Sequence, residues 1–185
     1  MEKKVLVPLA EGFEMVEALG VVDVLRRGGV HVDIAAVGEN LTVTSSHQVK
    51  VTADLHLVDC MENEYDLIVL PGGIPGAENL KNSQELAQLL HKQNRQEKLV
   101  GAICASPAVV LEHHGILAGK KATCHPLFVD QLSSNDRAGD SVVIDANCVT
   151  SRGAGTSIEF GLELLAILSG EEKKAEVAKS MAITG

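Results

Sequence analysis

The segment Gly101-Ala102-Ile103-Cys104-Ala105-Ser106-Pro107 carries the most specific chemical signal in the chain. An apolar run, Leu99 to Ile103, leads straight into the cysteine, and a helical stretch from Pro107 to His114 follows, ended by Gly115. A nucleophile on a sharp strand-to-helix turn needs small residues two positions to either side, because larger side chains collide there. Ala102 and Ser106 meet that need. Pro107 suits the first turn of a helix, where its missing N–H costs nothing. Cys104 is therefore expected at a helix N-terminus, where free N–H groups and the helix dipole favour the thiolate and pull its pKa down. The chemistry on offer is nucleophilic attack by the thiolate, or its oxidation.

Other groups are candidates to serve that thiol. Pro71-Gly72-Gly73 follows an apolar strand, and glycines there can turn backbone N–H groups toward an anion, as a nest or oxyanion hole. The run Gly72-Gly73-Ile74-Pro75-Gly76 lacks the G-x-G-x-x-G pattern of a dinucleotide site. Glu14 and Glu17 fall in the first turns of a helix. Glu14 is a candidate substrate-binding residue, although an acid there also serves as a partner of the helix dipole, whereas Glu17 can reach the loop bearing Cys104 and, if buried, would hold and share a proton with it. His125, in Cys124-His125-Pro126, is a candidate proton carrier. His113 and His114 read as dipole partners at a helix end, and no histidine spacing matches a metal site. The loop Ser151-Arg152-Gly153-Ala154-Gly155-Thr156-Ser157 is expected to wall the pocket, with Thr156 or Ser157 capping the next helix and Glu159 assisting.

These residues need a scaffold, and the order of elements supplies one. Lys4–Leu9, Val30–Val37, Asp66–Leu70, Leu99–Ile103 and Lys120–Cys124 read as strands. Glu14–Arg27, with Val16, Leu19, Val22 and Leu25 on one face, reads as a helix stopped by Gly28-Gly29. Further helices are expected near Gly76–Leu80 and over Gln84–Gln93, Leu127–Leu132, Thr156–Leu168 and Glu171–Met181. Thr42–Thr52 reads as an antiparallel ribbon, and Ser141–Ile144 with Asn147–Ser151 as a hairpin. Apolar strands alternating with helices imply a doubly wound, mostly parallel α/β sheet between helical layers. Its active site should lie beyond the carboxyl ends of the strands. The loops 10–17, 71–75 and 104–107 all fall there.

Bulk properties exclude other classes. A formal net charge of −9 repels phosphate backbones, and aromatics at 2% provide no stacking platform, so nucleic acid is not expected as a stable partner. No apolar run approaches the roughly 20 residues of a membrane span, and Val5–Ala10 is too short for a signal sequence. Cys60, Cys104, Cys124 and Cys148 are scattered without a CxxC pair, which points to reduced thiols in the cytoplasm. The 185 residues suit one domain, 1–185.

Taken together, these motifs resemble the ThiJ/PfpI family, in the branch of the Parkinsonism-associated protein deglycase. The resemblance rests on Leu9-Ala10-Glu11-Gly12 with Glu14 and Glu17, on Asp66 through Gly73, on Ala102-Ile103-Cys104-Ala105, on His125-Pro126, and on Thr150 through Ser157. It implies a flavodoxin-like sandwich of the class I glutamine amidotransferase-like kind, a homodimer, and no cofactor or metal. It implies a Cys104 that oxidises to a sulfinate held by protonated Glu17, with backbone donors at Gly73 and Ala105 and His125 nearby. It implies conversion of methylglyoxal-type aldehydes, repair of glycated protein or nucleotide, or redox-dependent chaperoning. A Cys-His hydrolase or amidase is the remaining alternative. Ala105, where the protease-like branch has histidine, speaks against peptidase activity. Ser106 stands in place of a family glycine and Ala154 in place of a proline. Ser45 stands where some members carry a second cysteine, and His47 where some carry an arginine.

Overall fold

The structure, a computed structural model, describes residues 3–183. Strand β1 (Lys4–Leu9) is followed by helix α1 (Met15–Arg27) and β2 (His31–Ala36). A ribbon of β3 (Thr42–Thr44) and β4 (Lys50–Thr52) precedes the two-residue β5 (Leu55–His56). Then come β6 (Leu67–Leu70), α2 (Gly76–Asn82), α3 (Gln84–Arg95) and β7 (Leu99–Ile103). Past β7 the chain forms a π-helical segment, Pro107–Glu112, and a 3-10 segment, Pro126–Gln131. The hairpin β8 (Val142–Asp145) and β9 (Cys148–Ser151) leads to α4 (Ser157–Ser169) and α5 (Glu171–Ser180).

Seven strands form one sheet in the order β5-β2-β1-β6-β7-β9-β8, parallel throughout except for β8 at its edge. This is the doubly wound α/β arrangement expected from the sequence. β3 and β4 pair antiparallel in a separate ribbon. The central strand β6 is buried at every residue, as a strand covered on both faces must be. One apolar cluster packs Leu6, Ile68 and Val100 against α2, α3 and the π-helical segment. The other packs Val5, Val7, Val69 and Ile103 against α1, α4 and α5. α1 and α4 approach closely because position 161 is glycine: a Cβ there would sit 3.1 Å from Val24 Cβ.

Three expectations are corrected. Residues 120–124 form no strand. The Lys121 N–H goes to the Asp145 carboxylate (2.7 Å) and the Thr123 N–H to Thr150 Oγ1 (3.0 Å), so side chains of the edge hairpin occupy donors that a ladder would need. The buried face of α1 is Ala18, Val21, Val22, Val24 and Leu25, while Val16 is 46% exposed and Leu19 only half-buried. The caps of α4 also differ. The Thr156 hydroxyl turns back to Ser151 Oγ (2.6 Å) and the Gly153 carbonyl (2.9 Å), Ser157 donates to the Ala154 carbonyl (2.9 Å), and Glu159 accepts from Ser141 (2.5 Å).

Candidate functional site

β1 and β6 lie side by side, and the chain leaves them in opposite directions across the sheet. The crevice beyond their carboxyl ends is where a ligand has access to loop backbone. The loops after β1, β6 and β7 meet there, and glycines set how closely. Glu14 N–H donates to the Gly72 carbonyl (2.9 Å) and Gly76 N–H to the Gly12 carbonyl (3.2 Å). Gly73 has φ +86°, and a Cβ on it would lie 2.5 Å from Glu14 N. On Gly76 it would lie 2.6 Å from Phe13 N. Only glycine lets these two backbones touch.

Cys104 stands at the end of β7 with φ +65°, a left-handed conformation that is costly for a residue with a side chain. Two backbone bonds hold it there: its N–H donates to the Ser151 carbonyl (3.0 Å), and its own carbonyl accepts the His125 N–H (2.8 Å). The elbow expected from the sequence is present, with Ala102 and Ser106 both buried beside it. Its thiol is half-buried, and it packs on the α1 and α4 side of the sheet. Cys60, Cys124 and Cys148 are buried in the cluster on the opposite face.

Glu17 projects from the first turn of α1 and is almost wholly buried. Its Oε2 accepts the Gly72 N–H at 2.7 Å, and its Oε1 is buried without a hydrogen bond of normal geometry. Burial pushes its pKa from 4.5 to about 7, against the pull of the Cys104 and Gly72 hydrogen bonds, and Glu14's charge raises it further. The thiol answers in kind. Burial, then the charge and hydrogen bonding of Glu17, push Cys104 up to about 12, while the N–H groups of Gly73 and Ala105 pull it down. The sequence expectation of a depressed thiol pKa is therefore corrected, because desolvation and the neighbouring carboxylate outweigh the backbone donors. Burial and neighbouring charge raise both groups, so above neutrality the pair shares one proton, and the thiolate exists when that proton sits on Glu17.

The remaining candidates sort by geometry. Gly73 and Ala105 direct N–H groups at the Cys104 sulfur. Gly72 does not, since its N–H is committed to Glu17. Its lack of a side chain matters instead: a Cβ would lie 2.6 Å from Cys104 Cβ and 2.7 Å from Glu17 Oε2. Glu14 caps α1 by accepting the Glu17 N–H (2.9 Å). The His125 ring lies across Gly153 from Glu17, a Cβ on Gly153 being 3.6 Å from His125 Cδ2 and 4.0 Å from Glu17 Oε1, so this loop does wall the site. His125 Nδ1 accepts the Leu127 N–H (3.3 Å), and among the described residues neither ring nitrogen bonds the Cys104 sulfur. His114 contacts the Lys81 carbonyl (3.0 Å) and stacks edge-on with His91 and His113, away from the site. Among the described residues no group of His, Cys, Asp or Glu is placed to hold a metal ion, and no helix is long and apolar enough to cross a membrane.

Sequence reasoning treated Ser106 only as a small residue. It is fully buried, and its hydroxyl donates to the Pro71 carbonyl at 2.6 Å. The signal for this was its position two residues after the nucleophile, a hydroxyl-bearing residue where glycine was expected.

Comparison with known proteins gives the family and the fold neighbours of the chain. The sequence profile described as the DJ-1/PfpI family matches residues 3–167. Protein DJ-1 homolog B of Arabidopsis thaliana is 45% identical over 177 residues, which are 96% of this chain but 40% of that protein, so the chain spans less than half of that relative's length. The glutathione-independent glyoxalase DJR-1.2 of Caenorhabditis elegans is 34% identical over 175 residues, covering 94% of this chain and 92% of the relative. The solved structure of oxidized DJ-1 from Toxoplasma gondii superposes with a TM-score of 0.96 at 40% identity, covering 99% of this chain and 100% of that one.

Proposed function

The chain belongs to the DJ-1/PfpI family, and on that premise we propose that it is a cofactor-free glyoxalase or protein deglycase acting on methylglyoxal-type aldehydes. The observation that carries the reading is the Cys104–Glu17 pair, a half-buried thiol that receives two backbone N–H groups beside a carboxyl whose pKa is near 7. The glyoxalase name of the Caenorhabditis elegans relative supports the reaction class.

The chemistry follows from the shared proton. With that proton on Glu17, the Cys104 thiolate adds to the aldehyde carbon of methylglyoxal, and the oxygen receives a proton to give a hemithioacetal. Glu17, now a carboxylate, takes the C–H proton from that carbon and returns it to the adjacent carbonyl carbon, while the hydroxyl proton passes to the neighbouring oxygen, leaving a thioester of lactate. In this reading the N–H groups of Gly73 and Ala105, which hydrogen-bond the Cys104 sulfur, take up the developing oxyanion. Water then cleaves the thioester to lactate and the free thiol. His125 Nε2, the ring nitrogen not engaged by Leu127, is the group suited to activate that water. An adduct on a glycated protein or nucleotide would pass through the same steps. A homodimer in the cytoplasm is the proposed setting, in keeping with four free thiols. Lactate formation from methylglyoxal by fully reduced protein, compared with Cys104→Ala, tests the reading. Turnover that is absent, or equal in the variant, refutes it.

A second reading is a redox sensor and chaperone, favoured by Cys104 being the one thiol of the four that is not buried. Peroxide titration followed by intact mass tests it, and a thiol that stays reduced rejects it. The Cys-His hydrolase reading is disfavoured, because the imidazole makes no bond to the sulfur.

A further inference from the structure

We propose that Ser106 is a positioning residue for Glu17, acting through the peptide unit that joins Pro71 to Gly72. This rests on Glu17 being the proton carrier described above. The Ser106 hydroxyl donates to the carbonyl of that peptide (2.6 Å), and the N–H of the same peptide donates to Glu17 Oε2 (2.7 Å). Hydroxyl, amide and carboxylate thus form one hydrogen-bonded chain, with every member buried.

Two consequences follow from that connection. A peptide unit is a rigid plane, so pinning its oxygen fixes the direction of its N–H. A donor on the carbonyl also polarises the amide and strengthens the N–H as a donor in turn. Both favour the ionised form of Glu17 against the burial that opposes it. Ser106 hydrogen-bonds neither the thiol nor the carboxyl, so its influence passes through backbone. The other titratable groups facing Glu17 are Cys104 from the elbow, Glu14 from the turn before α1, and His125 across Gly153.

The pH dependence of Cys104 alkylation by iodoacetamide, read by peptide mass, isolates this effect. At low pH the thiolate forms while Glu17 stays protonated, so the rate there does not depend on how well the carboxylate is held. Near neutrality Glu17 ionises, the rate levels off, and the height of the plateau reports the competition between carboxylate and thiolate for one proton. Ser106→Ala is expected to move the midpoint up by about half a pH unit and raise the plateau about threefold, with the acid limb unchanged. Ser106→Thr, which keeps the hydroxyl, is expected to retain the original profile. An unmoved midpoint in Ser106→Ala overturns the proposal. A rate raised equally at every pH also overturns it, since that is loosened packing. If Ser106→Ala does not fold, Ser106→Gly removes the same hydroxyl. In the unaltered protein, the Gly72 amide proton must resonate downfield and titrate with the same midpoint; an ordinary, non-titrating signal overturns the proposal without any variant. Glu17→Gln separates this proposal from the functional reading. A step that persists there means that Glu17 is not the titrating group, and both fall. A step that vanishes there, yet is unmoved in Ser106→Ala, removes Ser106 alone.

Discussion

Replacing Glu17 with glutamine is expected to stabilise the protein at neutral and alkaline pH while removing its chemistry. An ordinary glutamate titrates at 4.5, and in this fold Glu17 titrates at about 7. Below pH 4.5 the carboxyl is neutral in both folded and unfolded chains, and its burial carries no charge penalty. As pH rises from 4.5 to 7 the unfolded chain ionises while the fold still holds a neutral acid, so stability falls by about 1.4 kcal/mol per pH unit. Above pH 7 the loss is constant at about 3 kcal/mol. Glutamine is neutral at every pH and keeps an oxygen for the Gly72 N–H. Allowing about 1 kcal/mol for its unplaced NH2 donor, a gain of about 2 kcal/mol remains at pH 8. In a domain of this size that raises the melting temperature by about 4–8 °C. At pH 5 the unfolded carboxyl is only partly ionised, the relieved penalty is about 0.8 kcal/mol, and the amide donor's cost of about 1 kcal/mol cancels it, so the gain falls to about zero. Thermal unfolding followed by circular dichroism at both pH values decides the matter. A gain equal at pH 5 and pH 8, or a loss at pH 8, would refute the argument that Glu17 is a buried acid held against its solvation.

Three further outcomes are expected. Gly72→Ala places a methyl 2.6 Å from Cys104 Cβ and 3.0 Å from Ala105 N, and lactate formation should drop more than about 100-fold in a folded protein with about 1–3 kcal/mol less stability. Lys120→Met leaves Asn94 Oδ1, Asn147 Oδ1 and the Ile116 carbonyl without a shared donor, which should cost about 2–4 kcal/mol in denaturant unfolding while Cys104 alkylation is unchanged. Mild peroxide should add two oxygens to Cys104 alone, and peptide mass spectrometry showing modified Cys60, Cys124 or Cys148 in folded protein would contradict their burial.

Much of this was legible in the chain because the signals were local. Small residues around Cys104 announced the elbow, and the left-handed φ of +65° is what such spacing permits. Glu17, Gly73 and Ala105 reached their places because the loops after β1, β6 and β7 converge in any doubly wound sheet. What was not legible depends on distant partners. The pKa of Cys104 is set by burial and by Glu17, and neither can be read from the Cys104 segment itself. The role of Gly72 turned on which acceptor its N–H finds. On α1, the inward stripe runs through Ala18, Val21, Val22 and Leu25 and leaves Val16 outside it, and α4 closes on Val21 and Val24 at Gly161. The stretch 120–124 has strand-like residues, yet Asp145 and Thr150 take its N–H groups first.

The placement of the four cysteines has a consequence for repair. Cys124 comes near Cys104 along the chain, through the His125 N–H on the Cys104 carbonyl, but its side chain lies beneath the other face of the sheet with Cys60 and Cys148. A disulfide needs side chains directed at each other, and here the sheet stands between every such pair. A sulfenate formed at Cys104 therefore has no resolving thiol within the same chain. Its fate is decided by competition between more peroxide, which carries it irreversibly onward, and thiols supplied by the surrounding solution, which return it.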